Sequence, residues 1–182
     1  MKKVQTSARE AVAQLDTVVS GQLKAGYYLY CAEAGEEVFY TEIDDRLRRL
    51  DDDMPVTLVF YTESELLAAT LADARGFLGR WLQQLPGIAD SFYAGHGSLD
   101  ALVQLAEALG WLREMSFFLT ARGVDLAGWP EQLLETARTL VATAEQNGAV
   151  EVGDFLLYEL QGTLEKFQAR LARIELAAGE AM

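Results

Sequence analysis

Apolar residues recur every three or four positions along most of this chain. That period limits the fold more than any other feature, because it lines one face of a 3.6-residue helix. From about Ser7, the positions Val12, Leu15, Val18, Val19, Leu23, Tyr27 and Tyr30 keep this spacing. Phe39, Ile43, Leu47 and Leu50 repeat it in a shorter segment that the run Asp51-Asp52-Asp53 ends. The stretch Pro55 to Tyr61 is where a strand competes, since Val56, Thr57, Val59, Phe60 and Tyr61 are all β-formers, and it stays open as helix, strand or linker.

Helix signals are sharper downstream. Thr62 and Glu65 have the spacing of a capping box, in which the threonine oxygen takes one free helix amide and the glutamate returns to another. A helix is therefore predicted from Glu63, with Leu67, Leu71, Ala74, Leu78 and Leu85 in its buried stripe and Pro86-Gly87 as its stop. Gly87 to Gly97 reads as a connector. Ser98 caps the next helix, which carries Leu102, Leu105, Leu109, Leu112, Met115 and Leu119, with Trp111 and Phe118 on a flank.

Gly128-Trp129-Pro130 opens another helix, because proline at the first helical position loses an amide that would be unpaired anyway. Leu133, Leu140 and Ala144 lie on its stripe, and Asn147-Gly148 closes it. A last helix from about Val150 carries Phe155, Leu160, Leu164, Phe167 and Leu171, with the final few residues expected to fray. Helices joined by short turns pack antiparallel, so the spacing predicts an all-α fold: an up-and-down bundle of five to six amphipathic helices, residues 1–182 forming one domain. The spacing drifts between three and four over the chain, which favours a globular bundle over a long coiled coil.

Charge narrows the partners. The 28 Asp and Glu against 15 Lys and Arg give a formal charge of -13, with no basic stripe to offset it. Nucleic acid and anionic lipid would be repelled, whereas a basic face or a basic helix of another protein would be attracted. Cys31 is the one cysteine, which excludes an intrachain disulfide and fits a reducing compartment. No apolar run approaches the roughly 18 to 20 residues that span a bilayer, and no signal-peptide core precedes Ser7, so a cytoplasmic location is expected.

Chemistry is sparse in the residue inventory. His96, the one histidine, sits between glycines with no acidic partner at ligand spacing, so a zinc or di-iron motif and a histidine-based triad have no basis. Asp44, Asp45 and Asp51 to Asp53 could hold magnesium through oxygen ligands, but consecutive acids suit a solvated helix end better. Glu63 and Glu65 could act as an acid and base pair only inside a pocket. No cofactor is expected, and the chain is read as non-enzymatic.

Aromatic residues are unevenly placed. Tyr27, Tyr28, Tyr30, Phe39, Tyr40, Phe60 and Tyr61 crowd the first third of the chain. Neighbours on a helix point about 100° apart, so Tyr27, Tyr28 and Tyr30 cannot share one core face. These seven residues form the candidate partner or ligand surface, with core packing of the rings and phenol tips at the rim as the plainer account.

The stretch from Leu133 to Leu164, where a helix ends at Asn147 and the next carries Asp154-Phe155-Leu156-Leu157-Tyr158-Glu159-Leu160, resembles the C-terminal part of a group of helical bacterial proteins of uncharacterised activity. Those proteins have an acidic residue where Leu157 stands and a proline where Gly162 stands. The resemblance implies an all-helical fold and no particular activity. Read from the residues, Asp154, Tyr158 and Glu159 form a polar seam in the bundle or the solvent face of its last helix.

Together these features favour an interaction module, in the manner of a small cytoplasmic chaperone or adaptor that binds a partner helix or tail. A small-molecule bundle with a tyrosine-rich pocket and a divalent-metal carboxylate enzyme are the alternatives. Self-association as a homodimer through the aromatic patch is a further use of the same surface.

Overall fold

The structure is a computed structural model, and it describes residues 1–146 and 148–174. The expected fraying of the last few residues, and Asn147 in the expected helix closure, lie outside the described residues. The chain elements run β1 (Lys2–Ser7), α1 (Ala8–Lys24), β2 (Tyr27–Ala34), β3 (Glu37–Phe39), α2 (Ile43–Leu47) and β4 (Pro55–Thr62). They continue as α3 (Glu63–Tyr93), α4 (Leu99–Thr120), α5 (Trp129–Gln146), α6 (Ala149–Asp154), a π-helical turn (Phe155–Leu160) and α7 (Gln161–Ala172). The described residues form two compact units, 1–69 and 70–174.

The first unit overturns the all-α expectation. Its four strands form an antiparallel sheet in the order β1-β4-β2-β3, so the fold is mixed α and β. The helix predicted from Ser7 to Tyr30 is three elements. Ser7 is a strand residue whose Oγ accepts from Glu10 N–H at 3.3 Å and starts α1, and Gly26, at φ +79, turns the chain out of α1 into β2. Phe39 to Leu50, also read as a helix, is the end of β3 followed by the five-residue α2. Pro55 to Tyr61 resolves to strand, and its proline sits at the first position, where a ladder amide is dispensable.

Why the period misled is visible in the packing. Val56, Leu58 and Phe60 alternate onto the face that packs α1, with Ala32, Ala34 and Phe39 beside them and Ala8 and Ala11 opposite. Between them Val59 and Cys31 are also buried, on the other face. A strand buried on both sides loses the apolar–polar alternation that would identify it.

The second unit is helical. Arg75 Nη2 donates to Leu171 O at 2.7 Å near one end of α3, and Tyr93 Oη donates to Asp154 Oδ1 at 2.7 Å near the other, so α3 lies antiparallel to the α6–π–α7 rod. Phe77 meets Trp111 with ring centroids 4.7 Å apart, joining α3 to α4, and Trp129 meets Phe167 at 4.6 Å, joining α5 to α7. The core of this unit includes Leu78, Leu85, Leu105, Leu112, Leu133, Leu160 and Phe167, all essentially inaccessible.

The capping box forms as read: Glu65 N–H donates to Thr62 Oγ1 at 3.3 Å, and Thr62 N–H donates to Glu65 Oε2 at 3.0 Å. The stop at Pro86 does not form, and α3 runs on to Tyr93. Proline removes one helix bond, but Leu85, Ala89 and Phe92 are buried on either side of it, and tertiary burial holds the helix where local propensity would end it.

Candidate functional site

The seven aromatics of the first third do not form one surface. Tyr27, Phe39 and Phe60 lie on the α1 side of the sheet, Phe39 and Phe60 buried and Tyr27 half-buried against the core. Tyr28 is the register partner of Tyr61 on the opposite side. A bulge between Leu29 and Cys31 leaves Tyr30 as an extra residue in β2, and its ring stacks on Tyr61 with centroids 4.4 Å apart and edge-on to Tyr40 at 5.4 Å. Tyr40 alone of the seven is well exposed, at 57%. Tyr30, Tyr40 and Tyr61 are engaged with one another, and Tyr27, Phe39 and Phe60 with the core.

The polar candidates do not gather into one site. Burial pushes the Cys31 thiol up to about 11, with Glu33 adding to the rise and Lys3 opposing it, which suppresses the thiolate that nucleophilic chemistry requires. Lys3 Nζ is held by Glu33 Oε2 at 2.9 Å. His96 is exposed on the turn after α3, where its N–H donates to Ser91 O at 2.8 Å. Asp51 to Asp53 are exposed in the turn before β4, and Arg9 N–H donates to Asp52 O at 3.1 Å. Glu65 belongs to the capping box, and the N-terminal ammonium, the Thr62 N–H and the Thr62 hydroxyl hold its carboxyl below the usual range against an opposing effect of burial. Among the described residues no three His, Cys, Asp or Glu side chains gather as metal ligands.

A cleft of about 320 Å³ lies in the first unit, lined by Ala8, Arg9, Val12, Leu47, Arg48, Leu50 and Asp52. None of the tyrosines lines it. Its two arginines and the start of α1 suggest an anion cradle, but Ala8 N–H already donates to Met54 O at 2.8 Å and Arg9 N–H to Asp52 O. Arg48 is paired with Asp44 at 2.9 Å.

The residues that stand out were not singled out by the periodicity. In the second unit α4 is apolar on nearly every side, with Leu102, Leu105, Leu109, Leu112, Met115 and Leu119 inward. Outward it presents Leu99 at 71% exposure, Val103 at 56% and Phe117 at 41%. Val103, Gly110 and Phe117 are seven residues apart, and seven residues fall about 20° short of two helical turns, so the three share one line. A Cβ built on Gly110 meets nothing within 4 Å, so the middle of this line is bare backbone.

Acids form a second line beside it. Asp100, Glu107 and Glu114, the three acids of α4, are also seven apart and all exposed. The one cation of α4, Arg113, is committed: its Nη1 donates to Glu114 Oε1 at 2.7 Å and its guanidinium lies 4.8 Å from the centre of the Phe117 ring. The signal in the sequence is a second, outward apolar line on a helix whose inward stripe is already complete.

The segment Asp154 to Leu160 includes the π-helical turn, where Gln161 N–H donates to Leu156 O five residues back. Phe155, Leu156 and Leu160 are buried, and Asp154, Tyr158 and Glu159 are exposed, which places these three on the solvent face. No helix among the described residues is long and apolar enough to cross a membrane. Comparison of the chain with protein-family models, with curated proteins and with solved structures finds no match.

Proposed function

We propose that this chain is a non-catalytic protein-interaction module whose docking face is the outward side of α4. The observation that carries the reading is the exposed line Leu99, Val103, Gly110 and Phe117 on a helix whose opposite side is already buried in its own unit. Isolated exposed apolar residues are ordinary, but an aligned set over several turns is what a helix-in-groove or helix-on-helix contact uses. Gly110 adds to this, because bare backbone at the centre lets a second helix approach closely.

The buried thiol of Cys31 and the paired acids and bases of the first unit support a role in binding over one in covalent chemistry. Adaptor or chaperone work in the cytoplasm is the setting we favour.

Binding of a synthetic amphipathic helix with a leucine–alanine seam and glutamine elsewhere, followed by fluorescence anisotropy, tests the reading. The expected result is saturable binding that Val103→Asp or Phe117→Asp abolishes while the melting temperature stays within a few degrees. Binding of equal strength to the native chain and both variants would refute the docking face.

A further inference from the structure

We infer that the partner of α4 is a basic amphipathic helix, one that sets lysine or arginine at seven-residue spacing against Asp100, Glu107 and Glu114. The inference rests on the reading of α4 as a docking face and adds the chemistry of what docks there. Three acids at the same interval as the apolar line Val103, Gly110, Phe117 make a shoulder that runs parallel to the seam along its whole length. Flanking charges of this kind set partner choice and orientation when helices pair through an apolar seam. Arg113, the one cation of α4, pairs with Glu114 at one end of the shoulder and lies over Phe117, which leaves Asp100 and Glu107 without a cation from α4.

Charge also argues against a second copy as the occupant. Antiparallel copies related by a two-fold axis in the plane of contact keep each shoulder on its own side. With the crossing at Gly110, Glu107 of one copy then faces Glu114 of the other. The formal charge of -13 on each chain adds to that repulsion. A helix with basic shoulders reverses both effects and leaves Gly110 as the crossing point.

The test uses the full chain and three labelled helical peptides that share one leucine–alanine seam and differ only at shoulder positions seven residues apart, bearing lysine, glutamine or glutamate. The expected order of affinity is lysine, glutamine, glutamate, with the lysine peptide roughly tenfold tighter than the glutamine peptide at low salt and that advantage shrinking as salt screens it. The double substitution Glu107→Lys and Glu114→Lys is expected to invert the order, and Glu107→Gln with Glu114→Gln to level it. Equal binding of all three peptides would overturn the basic partner and leave the docking face standing. Binding of none would overturn both. A dimer seen by light scattering that Gly110→Glu returns to monomer would assign the face to a second copy.

Discussion

Tyr93 at the end of α3 donates its hydroxyl proton to Asp154 at 2.7 Å, and the bond is possible because the residue before Asp154 is glycine. A Cβ at Gly153 would stand 2.7 Å from the Tyr93 ring. Gly153→Ala is therefore expected to push the ring aside and break the bond, although alanine is the better helix former by up to about 1 kcal/mol. Tyrosine-selective NMR titration checks this. The Tyr93 value should fall from about 12 towards that of an unperturbed phenol.

The same bond gives a signed pH dependence. Donation to Asp154 is the largest cause of the rise in the Tyr93 value, followed by burial and by the negative charge of Asp154. Because the folded value of about 12 lies above the unfolded value of about 10, the contribution is complete below about pH 10 and is lost as pH rises through about 12. The stability difference between the native chain and Tyr93→Phe, from urea unfolding, should be constant at neutral pH and shrink in strong alkali. A difference that grows with pH would contradict the assignment.

At the start of α3 the sign is opposite. Glu65 is held below the usual carboxylate range, so its contribution is present above the unfolded value and lost as pH falls through the folded one. Thr62→Ala removes the reciprocal cap and should cost about 1 kcal/mol near neutral pH. Glu65→Gln should leave a chain whose stability falls less steeply in acid than that of the native chain, as read by urea midpoints.

Gly110 and Gly153 are both helical, and the structure gives them opposite responses. With open space around Gly110, Gly110→Ala should raise stability by about 0.5 to 1 kcal/mol. A thermal melt distinguishes the two substitutions directly. Loss of stability at Gly110 would mean that its surroundings are closed.

Much of the helical part was legible in the sequence, because α3, α4 and α5 each have a buried stripe and an identifiable start: Thr62 with Glu65, Ser98, and Trp129-Pro130. The strands were not, for a physical reason. Tyr27 to Ala34 and Val56 to Tyr61 carry apolar residues on both faces, so neither shows alternation, while Val19, Leu23, Tyr27 and Tyr30 continue a helical period by coincidence past the end of α1 at Lys24. The aromatic cluster stands out in the sequence, yet β geometry divides it between two faces and the Tyr30 bulge locks three of its rings together. The outward line on α4 was hidden for the opposite reason. Its inward leucines account for the helix so completely that the period alone gives Leu99, Val103 and Phe117 no role.

The most direct test of α4 as the docking face is a backbone amide NMR titration of the full chain with the lysine-shouldered helical peptide. Saturable shift changes centred on Val103, Gly110 and Phe117 are expected, with Glu107 and Glu114 at their margin. Changes centred instead on Tyr28, Tyr30 and Tyr61, or no saturable change anywhere, would contradict the account.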